Sequence, residues 1–387
     1  MADHDSTSGA PSEIDAAAGF FPVAVTGRLR ARRAAQLARH RLRGLRRGFW
    51  NAVLHGFRRL GRGRLHRGLF CQIVIRLPKA ICRVFSEMLC VTMAGMPQSR
   101  CTLLPAFSVV AVSGRDARTF LQGQLTNDLL GLERHPGLMA AACNREGRVL
   151  EILRLAAQGD TILAVLCSAL AAPMIARLAK HVLRAQVTIQ DRSDRLAVAG
   201  VLDAAPAESW SQDAVAAGVT RMVADARRML LVGPPPSLDW LMREMGRASA
   251  ADWERACIDE GEPTIHPQTA GQWTPQMLNL DLLSAVSFTK GCYVGQEIVA
   301  RTQHLGRIKR RMLRYAGPAG VPFLPGQALY SGETQAAQVV AACDGPQGTD
   351  LLAVAELRFS GDLLGARPGG RELAPAGLPY LIPATVA

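Results

Sequence analysis

Apolar and polar positions follow regular periods from about residue 100 onward, and the first part of this pattern mixes strands with helices. Aliphatic and β-branched runs between turn residues predict strands at 107–114, 137–143, 148–155, 161–167 and 185–190. Apolar residues at helical spacing predict helices at 117–130, where Asp116 is a candidate cap, and at 169–183. The resulting order β-α-β-β-β-α-β predicts an α+β fold and argues against a doubly wound parallel sheet.

The following stretch shows a weaker pattern of the same kind. It predicts strands at 196–201 and 228–232 and helices at 212–217 and 238–245, with the prolines at 234–236 as a stiff break. A helix at 251–261 comes next, and the pattern is then irregular up to about residue 290. Beyond residue 306, short strands separated by Gly and Pro turns are predicted at 311–315, 336–341, 351–357 and 380–382. Such a series is typical of a small β-barrel or sandwich.

These patterns divide the 387 residues into three parts. Residues 1–100 form a basic N-terminal extension, and residues 101–305 form an α+β core that can be split into 101–190 and 191–305. Residues 306–387 form the small C-terminal β-barrel. A chain with 49% hydrophobic residues has enough apolar surface to bury a core in such domains.

The formal charge of +13 comes entirely from the N-terminal extension. Residues 1–100 carry 18 Lys and Arg against five Asp and Glu, whereas residues 101–387 carry 27 of each sign. The block at 28–67 is nearly free of acids and is either a contact for nucleic acid or anionic lipid or a disordered basic arm. A third interpretation is that residues 1–95 are upstream sequence from a start codon assigned too early. A transit segment is disfavoured because four acids lie within the first 15 residues.

Cysteine usage and hydropathy favour a cytoplasmic protein. The nine cysteines include no CxxC pair, and their odd number argues against a disulfide framework. No apolar run approaches the ~20 residues of a membrane span, so we expect a soluble protein without membrane contact. Cys257, His266, Cys292 and His304 match no zinc spacing, and we expect no metal site.

The densest group of reactive side chains lies at 288–297, where the sequence is FTKGCYVGQE. A thiolate is the reactive form of cysteine, and a nearby cation favours it, so Lys290 is a candidate partner of Cys292. The chain contains four Lys against 41 Arg, which suggests that a retained Lys marks a position requiring a compact ammonium. The alternative is a buried Cys in a turn bounded by glycines.

The same region carries a resemblance to a known family. PQ at 275–276, NL at 279–280, F at 288, KGCYxGQE at 290–297, AR at 300–301, G at 306 and KR at 309–310 resemble the defining motif of the YgfZ-type folate-binding proteins. These proteins are relatives of the glycine-cleavage T protein, an aminomethyltransferase. The general layout matches over about 105–383. The resemblance implies an aminomethyltransferase-like folate-binding core with a C-terminal small β-barrel, and a role in making or maintaining iron–sulfur enzymes, including those that modify tRNA.

The resemblance also implies roles for individual residues. Cys292 occupies the position of the family's functionally important cysteine, and Trp253 that of an aromatic residue at the folate site. Phe107 stands where some relatives carry a second Trp. Asp259 falls where the T protein has a glutamate that grips the pterin, and Glu151 lies near its catalytic Asp.

General chemistry adds further candidates around a folate. A carboxylate such as Asp259 can accept adjacent pterin N–H donors, and the ring can lie against aromatic faces such as Trp253 or Tyr293. The anionic glutamyl tail would suit Arg145, Arg148 or Arg301. Each of these residues also has an ordinary structural explanation, as a core aromatic or a solvated surface charge.

From these observations we expect a monomeric, tetrahydrofolate-binding factor for the assembly, maintenance or repair of iron–sulfur proteins, which affects tRNA modification indirectly through its client enzymes. The catalytic candidates are Cys292, Lys290 and Glu151. The candidates for binding folate are Phe107, Trp253, Asp259, Tyr293 and Arg301. Two other functions remain open: an aminomethyltransferase that depends on Glu151, and a nucleic-acid-binding protein that acts through the basic arm at 28–67.

Overall fold

The structure is a computed structural model that describes residues 99–383, apart from 136, 205–217, 244, 305–306, 321, 368–369 and 371. Almost all of the N-terminal extension 1–100 and the predicted helix at 212–217 lie outside these residues. The described residues from 99 onward belong to one compact unit.

The elements before the barrel alternate between strands and helices. In chain order they are β1 (Arg100–Leu103), β2 (Phe107–Ser113), α1 (Ala117–Gln122), a 3-10 turn (Leu132–Arg134), β3 (Leu138–Cys143), β4 (Val149–Gln158), β5 (Thr161–Cys167), α2 (Ser168–Val182), β6 (Thr188–Asp191), β7 (Ala197–Leu202), β8 (Thr220–Val223), β9 (Met229–Gly233), α3 (Pro235–Met242), β10 (Gly246–Arg247), α4 (Ala250–Asp259) and α5 (Gln296–His304).

The remaining elements are strands and one short turn. They are β11 (Arg310–Gly317), β12 (Ala328–Ser331), β13 (Thr334–Gly345), β14 (Gly348–Glu356), a 3-10 turn (Leu357–Phe359), β15 (Leu364–Gly365) and β16 (Glu372–Ala376).

Sheet I contains the first predicted unit, with the strand order β3-β4-β5-β2-β6 and antiparallel pairing throughout. Successive side chains of a strand point to opposite sides of the sheet, so each central strand contributes to two core clusters, one on each face. In β2, Val110 and Val112 join the core cluster that includes α2, whereas Val109 and Ala111 face sheet II. The predicted order β-α-β-β-β-α-β is confirmed.

Sheet II has the order β10-β1-β7-β9-β8, in which only the β1–β10 pair among the described strands is parallel. Its inner face packs against sheet I through Leu202, Met222 and Leu230. Its outer face is covered by α3 through Leu238. Trp253 of α4, which is 3% exposed, lies between the two sheets, and Phe107 packs against the same cluster.

The C-terminal strands close a barrel in the order β11-β14-β13-β12-β15-β16. Apolar side chains fill its interior, among them Tyr315, Leu329 and Val339. The predicted α+β class and the predicted C-terminal barrel are therefore both confirmed.

Several predicted elements were wrong in extent. The helix predicted at 117–130 ends at Gln122, because the buried residues Leu125, Leu129 and Leu132 have helical spacing but lie in a loop and a 3-10 turn. The helix predicted at 238–245 begins at Pro235, since proline is tolerated in the first turn of a helix. The strand predicted at 380–382 is irregular, and β16 closes the barrel instead.

A buried ion pair joins the barrel to the irregular segment between α4 and α5. Arg311 of β11 donates from both terminal nitrogens to the carboxylate of Asp281, at 2.6 and 2.9 Å, and both side chains are 5% exposed. Arg311 also donates to the carbonyl of Gln276 at 2.9 Å. Two half-buried arginines, Arg255 of α4 and Arg314 of β11, meet on Asp350 of β14. The barrel is thus tied to the core by charge as well as by apolar packing.

We expect Asp281→Asn to lower the free energy of unfolding by about 3–5 kcal/mol, because it leaves the Arg311 guanidinium buried without a counter-charge. Urea denaturation followed by circular dichroism measures the change. The matched control is Glu297→Gln, which breaks the exposed Glu297–Arg301 pair and should cost no more than about 0.5 kcal/mol. Equal effects of the two variants would contradict the prediction.

Candidate functional site

Lys290 anchors the 288–297 motif to the core. Its ammonium donates three hydrogen bonds of 2.7 Å, to the carbonyl oxygens of Gln122, Leu125 and Asn127. Burial lowers the pKa of Lys290 to about 8, against an opposing effect of Asp128. An ammonium has three donors, and all three are used here, so none remains for the Cys292 thiolate. The structure therefore gives Lys290 a different bonding role from the one expected.

Cys292 lies on the surface between two buried anchors, Lys290 and Tyr293. Of the six cysteines in the part of the chain that the structure describes, Cys292 alone is exposed. Tyr293 is 7% exposed, with its ring centroid 5.3 Å from the Lys290 Nζ. Burial, reinforced by the nearby Cys143 thiol, raises the pKa of Tyr293, so its ring serves as a buried neutral surface.

Gly295 holds the other end of the motif against the β3–β4 turn. Its φ is +81°, and a Cβ at this position would lie 2.4 Å from the carbonyl oxygen of Asn144. Only glycine allows both the conformation and this close approach. Arg301, in the second turn of α5, is exposed and pairs with Glu297 at 2.9 Å.

A buried charge cluster lies where sheet I, sheet II and the segment after α4 meet, and it was not predicted from the sequence. Glu262, just after α4, accepts hydrogen bonds from Arg154 of β4 at 3.1 Å and from Arg228 at 2.7 Å. Burial alone would raise the pKa of Glu262, but the two guanidiniums outweigh it and hold the pKa at about 2. Arg228 also donates to Asp225 at 2.6 Å and to the Sγ of Cys257 at 2.9 Å. The cluster joins sheet I, sheet II and the segment after α4.

A cavity of about 360 Å³ opens beside this cluster. It is bounded by β3 of sheet I, the β8–β9 turn of sheet II, the segment after α4, and the C-terminal tail at 379–380. Its charged lining residues are Arg154, Arg228, Asp225, Glu260 and Glu262, so two guanidiniums face three carboxylates. Its volume is in the usual range for small-molecule sites, and its formal charge of −1 favours a ligand rich in N–H donors.

A second, smaller cavity of about 40 Å³ is lined by two residues predicted to bind folate, Phe107 and Trp253. It shares Arg154 and Glu262 with the larger cavity, so the ion pair separates the two spaces. Trp253 packs closely on Gly200, where a Cβ would lie 2.4 Å from the indole Cε3, and the Arg228 Cζ lies 5.6 Å from the ring centroid. Little of the indole is left for a ligand to stack on.

Two predicted acids lie apart from both cavities. Asp259, at the end of α4, pairs with Arg314 of the barrel at 2.6 Å and its side chain is 48% exposed. Glu151 of β4 is buried and pairs with Arg177 of α2. Burial raises the pKa of Glu151, and Arg177 opposes this change. Because Glu151 and Arg154 are three positions apart on one strand, they point to opposite faces of sheet I, and only Arg154 reaches the cavities.

The predicted site residues thus fall into separate places in the structure. The motif loop contains Lys290, Cys292 and Tyr293, and the small cavity contains Phe107 and Trp253. Glu151, Asp259 and Arg301 belong to neither group. One sequence signal could have found the buried cluster: Arg154 lies inside the apolar strand VLEILRLAAQ, where an unpaired charge would be costly.

Two general properties of the described residues bear on function. They contain no group of three or more His, Cys, Asp or Glu side chains that could hold a metal ion. None of their helices is long and apolar enough to cross a membrane.

We expect Glu262→Gln to lower the free energy of unfolding at pH 7 by about 3–5 kcal/mol, since Arg154 and Arg228 lose their shared counter-charge. Because the folded-state pKa of Glu262 is depressed from 4.5 to about 2, its contribution is complete above about pH 4.5 and is lost as the pH falls towards 2. The difference between wild type and variant should shrink over this interval, as measured by urea denaturation at pH 7, 4 and 2.5. A difference that does not change with pH would contradict the assignment, and the exposed variant Glu146→Gln is the control.

No family model matches the chain. Among solved structures, the glycine cleavage system aminomethyltransferase T from Bartonella henselae matches with a TM-score of 0.58 and 15% sequence identity, over 75% of this chain and 88% of that chain. The fold is therefore aminomethyltransferase-like.

Curated relatives share the sequence more closely. The chain is 32% identical over 232 residues to the tRNA-modifying protein YgfZ of Shigella boydii serotype 18 (strain CDC 3083-94 / BS512), which covers 56% of this chain and 71% of that protein. The protein of the same name from Escherichia coli (strain SE11) gives the same values. The one from Colwellia psychrerythraea (strain 34H / ATCC BAA-681) is 28% identical over 60% of this chain and 76% of its own length. The chain belongs to the family of the tRNA-modifying protein YgfZ.

Proposed function

We propose that this protein is a cytoplasmic, tetrahydrofolate-binding factor for the assembly, maintenance or repair of iron–sulfur proteins, and that it affects tRNA modification through those clients. The observation that carries the proposal is the exposed Cys292 thiol, held between the buried Lys290 and Tyr293. A surface thiol on an anchored loop can reach a partner protein, whereas a thiol kept for packing is buried. Membership of the YgfZ family supports the link to tRNA modification.

The 360 Å³ cavity is the proposed folate site, and its carboxylate acceptors fit the N–H donors of a pterin. A pterin presents adjacent N–H donors, which a carboxylate such as Glu260 can accept, whereas Asp225 already accepts hydrogen bonds from Arg228. Glu262 is already saturated by Arg154 and Arg228, so its role is to hold the wall of the cavity. A bound tetrahydrofolate would supply one-carbon chemistry, while the residues of this chain bind and orient it.

This assignment moves the folate site away from several residues expected to form it. Phe107 and Trp253 line the smaller cavity, on the other side of the Arg154–Glu262 pair from the proposed folate site. Asp259 is engaged with the barrel, and Tyr293 and Arg301 belong to the motif region. Glu260 takes the place expected for Asp259.

Cys292 is the proposed chemical group, by thiol–disulfide exchange with a client or by transient ligation of its cluster. In an exchange step, the Cys292 thiolate attacks a client disulfide, a mixed disulfide forms, and the second client sulfur leaves as a thiolate. Aminomethyl transfer is less well supported, because its candidate Glu151 faces α2 and is engaged by Arg177. The nucleic-acid alternative concerns 28–67, which lie outside the described residues.

We expect Ala224→Phe to weaken tetrahydrofolate binding by about tenfold or more, because Ala224 lines the cavity and a phenyl ring would occupy part of it. Isothermal titration calorimetry of the full-length protein gives the affinity. The matched control is Ala172→Phe on the exposed face of α2, which should bind within about twofold of wild type. Unchanged binding by Ala224→Phe would place the folate elsewhere.

We expect Cys292→Ser to abolish support of iron–sulfur enzymes while leaving folate affinity intact, because the thiol lies outside the cavity. Cells that lack the protein are complemented with each variant, and an iron–sulfur enzyme activity and iron–sulfur-dependent tRNA modification are measured. The control is Cys167→Ser, a half-buried cysteine at the end of β5. Full support by Cys292→Ser would refute the proposed role of the thiol.

A further inference from the structure

The three carbonyl oxygens around the Lys290 ammonium form a cradle made entirely of backbone. They belong to Gln122, Leu125 and Asn127, at the end of α1 and in the loop after it. The last carbonyls of a helix have no partner within the helix, and here a side chain from a distant segment supplies one. Lys290 is 8% exposed, so water cannot easily replace it.

No carboxylate forms an ion pair with Lys290 among the described residues. Asp128 acts on it through space, but the Asp128 carboxylate accepts hydrogen bonds from Gln122 and from the backbone N–H of Leu130. The positive charge is therefore balanced mainly by three carbonyl dipoles and the face of the Tyr293 ring. Such a cradle fits a compact cation with three N–H donors, whereas a planar guanidinium does not match it.

The same loop of the core binds the motif segment at further points. Thr126 Oγ1 donates to the carbonyl of Ala285 at 2.7 Å, and Asn127 Nδ2 donates to that of Ser284 at 2.7 Å. The N–H of Ser287 donates to the carbonyl of Thr126 at 3.0 Å. These contacts end at Lys290, and at Gly291 beyond it no described residue other than its chain neighbours has an atom within 4 Å of the position that a Cβ would take. The ammonium is thus the last anchor before Cys292.

We propose that Lys290 is a positioning residue whose ammonium, by filling the three-carbonyl cradle, holds the loop that presents Cys292 at the surface. The inference deepens the proposed function and rests on it only for the role of Cys292. In this inference Lys290 does not pair directly with the Cys292 thiolate. It acts on Cys292 by fixing the conformation of the loop between them. The charge matters because it lets one side chain satisfy three acceptors at once.

The test uses Lys290→Ala in the full-length protein, together with n-propylammonium, which restores the missing three carbons and nitrogen. Hydrogen–deuterium exchange is followed in peptides covering 284–293 and, for comparison, in the barrel peptide 334–356. We expect exchange in 284–293 to rise about tenfold in the variant, with no change in the barrel. Added n-propylammonium should restore protection in a saturable way, whereas n-propanol, which has the same chain length but no charge, should not.

Three results would overturn the inference: unchanged exchange at 284–293 in Lys290→Ala, equal rescue by n-propanol, or no rescue by n-propylammonium. If Lys290→Ala does not fold, Lys290→Met keeps the apolar stem, and it should show the same local loss of protection. A Lys290→Met variant with wild-type protection would then refute the cradle.

Complementation separates this inference from the proposed function. We expect Lys290→Met to reduce iron–sulfur support, and Cys292→Ser to abolish it without changing exchange at 284–293. Full support by Cys292→Ser would refute the function while leaving the cradle to be decided by exchange. A local loss of protection in Lys290→Met with full support would refute the positioning role alone.

Discussion

The structure depends on one constraint: a long buried segment without regular secondary structure must still satisfy its backbone hydrogen bonds. Between α4 and α5 the described residues form neither helix nor strand, yet Trp273, Leu278 and Leu280 within this segment are buried in the main core. An unpaired buried peptide group costs about 1–3 kcal/mol, so the surrounding elements have to supply partners. Thr126 and Asn127 do so from the loop after α1.

Asn279 shows how this segment is held from the barrel side. Its φ is +57°, a conformation that asparagine tolerates better than most residues. Its Nδ2 donates to the carbonyl of Met312 at 2.7 Å and lies 3.3 Å from the Tyr380 hydroxyl. The Tyr380 hydroxyl donates to the carbonyl of Gly261 at 2.9 Å, so Tyr380 links the start and the middle of the segment. The site is therefore built on a scaffold of side-chain to backbone bonds.

The two kinds of buried cation illustrate why a chain with 41 Arg keeps a few Lys. Arg311 faces a carboxylate, whose two oxygens match the fork of a guanidinium. Lys290 faces three separate carbonyl oxygens that converge on one point. The sequence singled out Lys290 as a position that needs a compact ammonium, and its three carbonyl partners are consistent with that expectation. The expected partner was Cys292, and local sequence could not reveal the carbonyls because they lie more than 160 residues away along the chain.

Local pattern predicted much of the fold and less of the site. Strands β2, β5 and β14 were predictable from their apolar runs. The loop after α1 was mistaken for helix because its buried leucines have helical spacing. The cluster of Arg154, Glu262 and Arg228 unites residues from a strand, an irregular segment and a hairpin. The periodicity of apolar residues does not reveal contacts between distant segments. The one local signal for this cluster is the charged Arg154 within an apolar strand. The short β15 and β16, of two and five residues, carry too little pattern to be found.

The Asp281–Arg311 pair also limits how this protein can be divided into modules. A chain cut before β11 would keep Asp281 in its buried place and lose the cation that neutralises it. It would also free the Asn279 amide from its acceptor on Met312. The barrel is therefore a part of the core's folding unit rather than an appendage, and a chain divided between core and barrel leaves buried polar groups without partners on the core side.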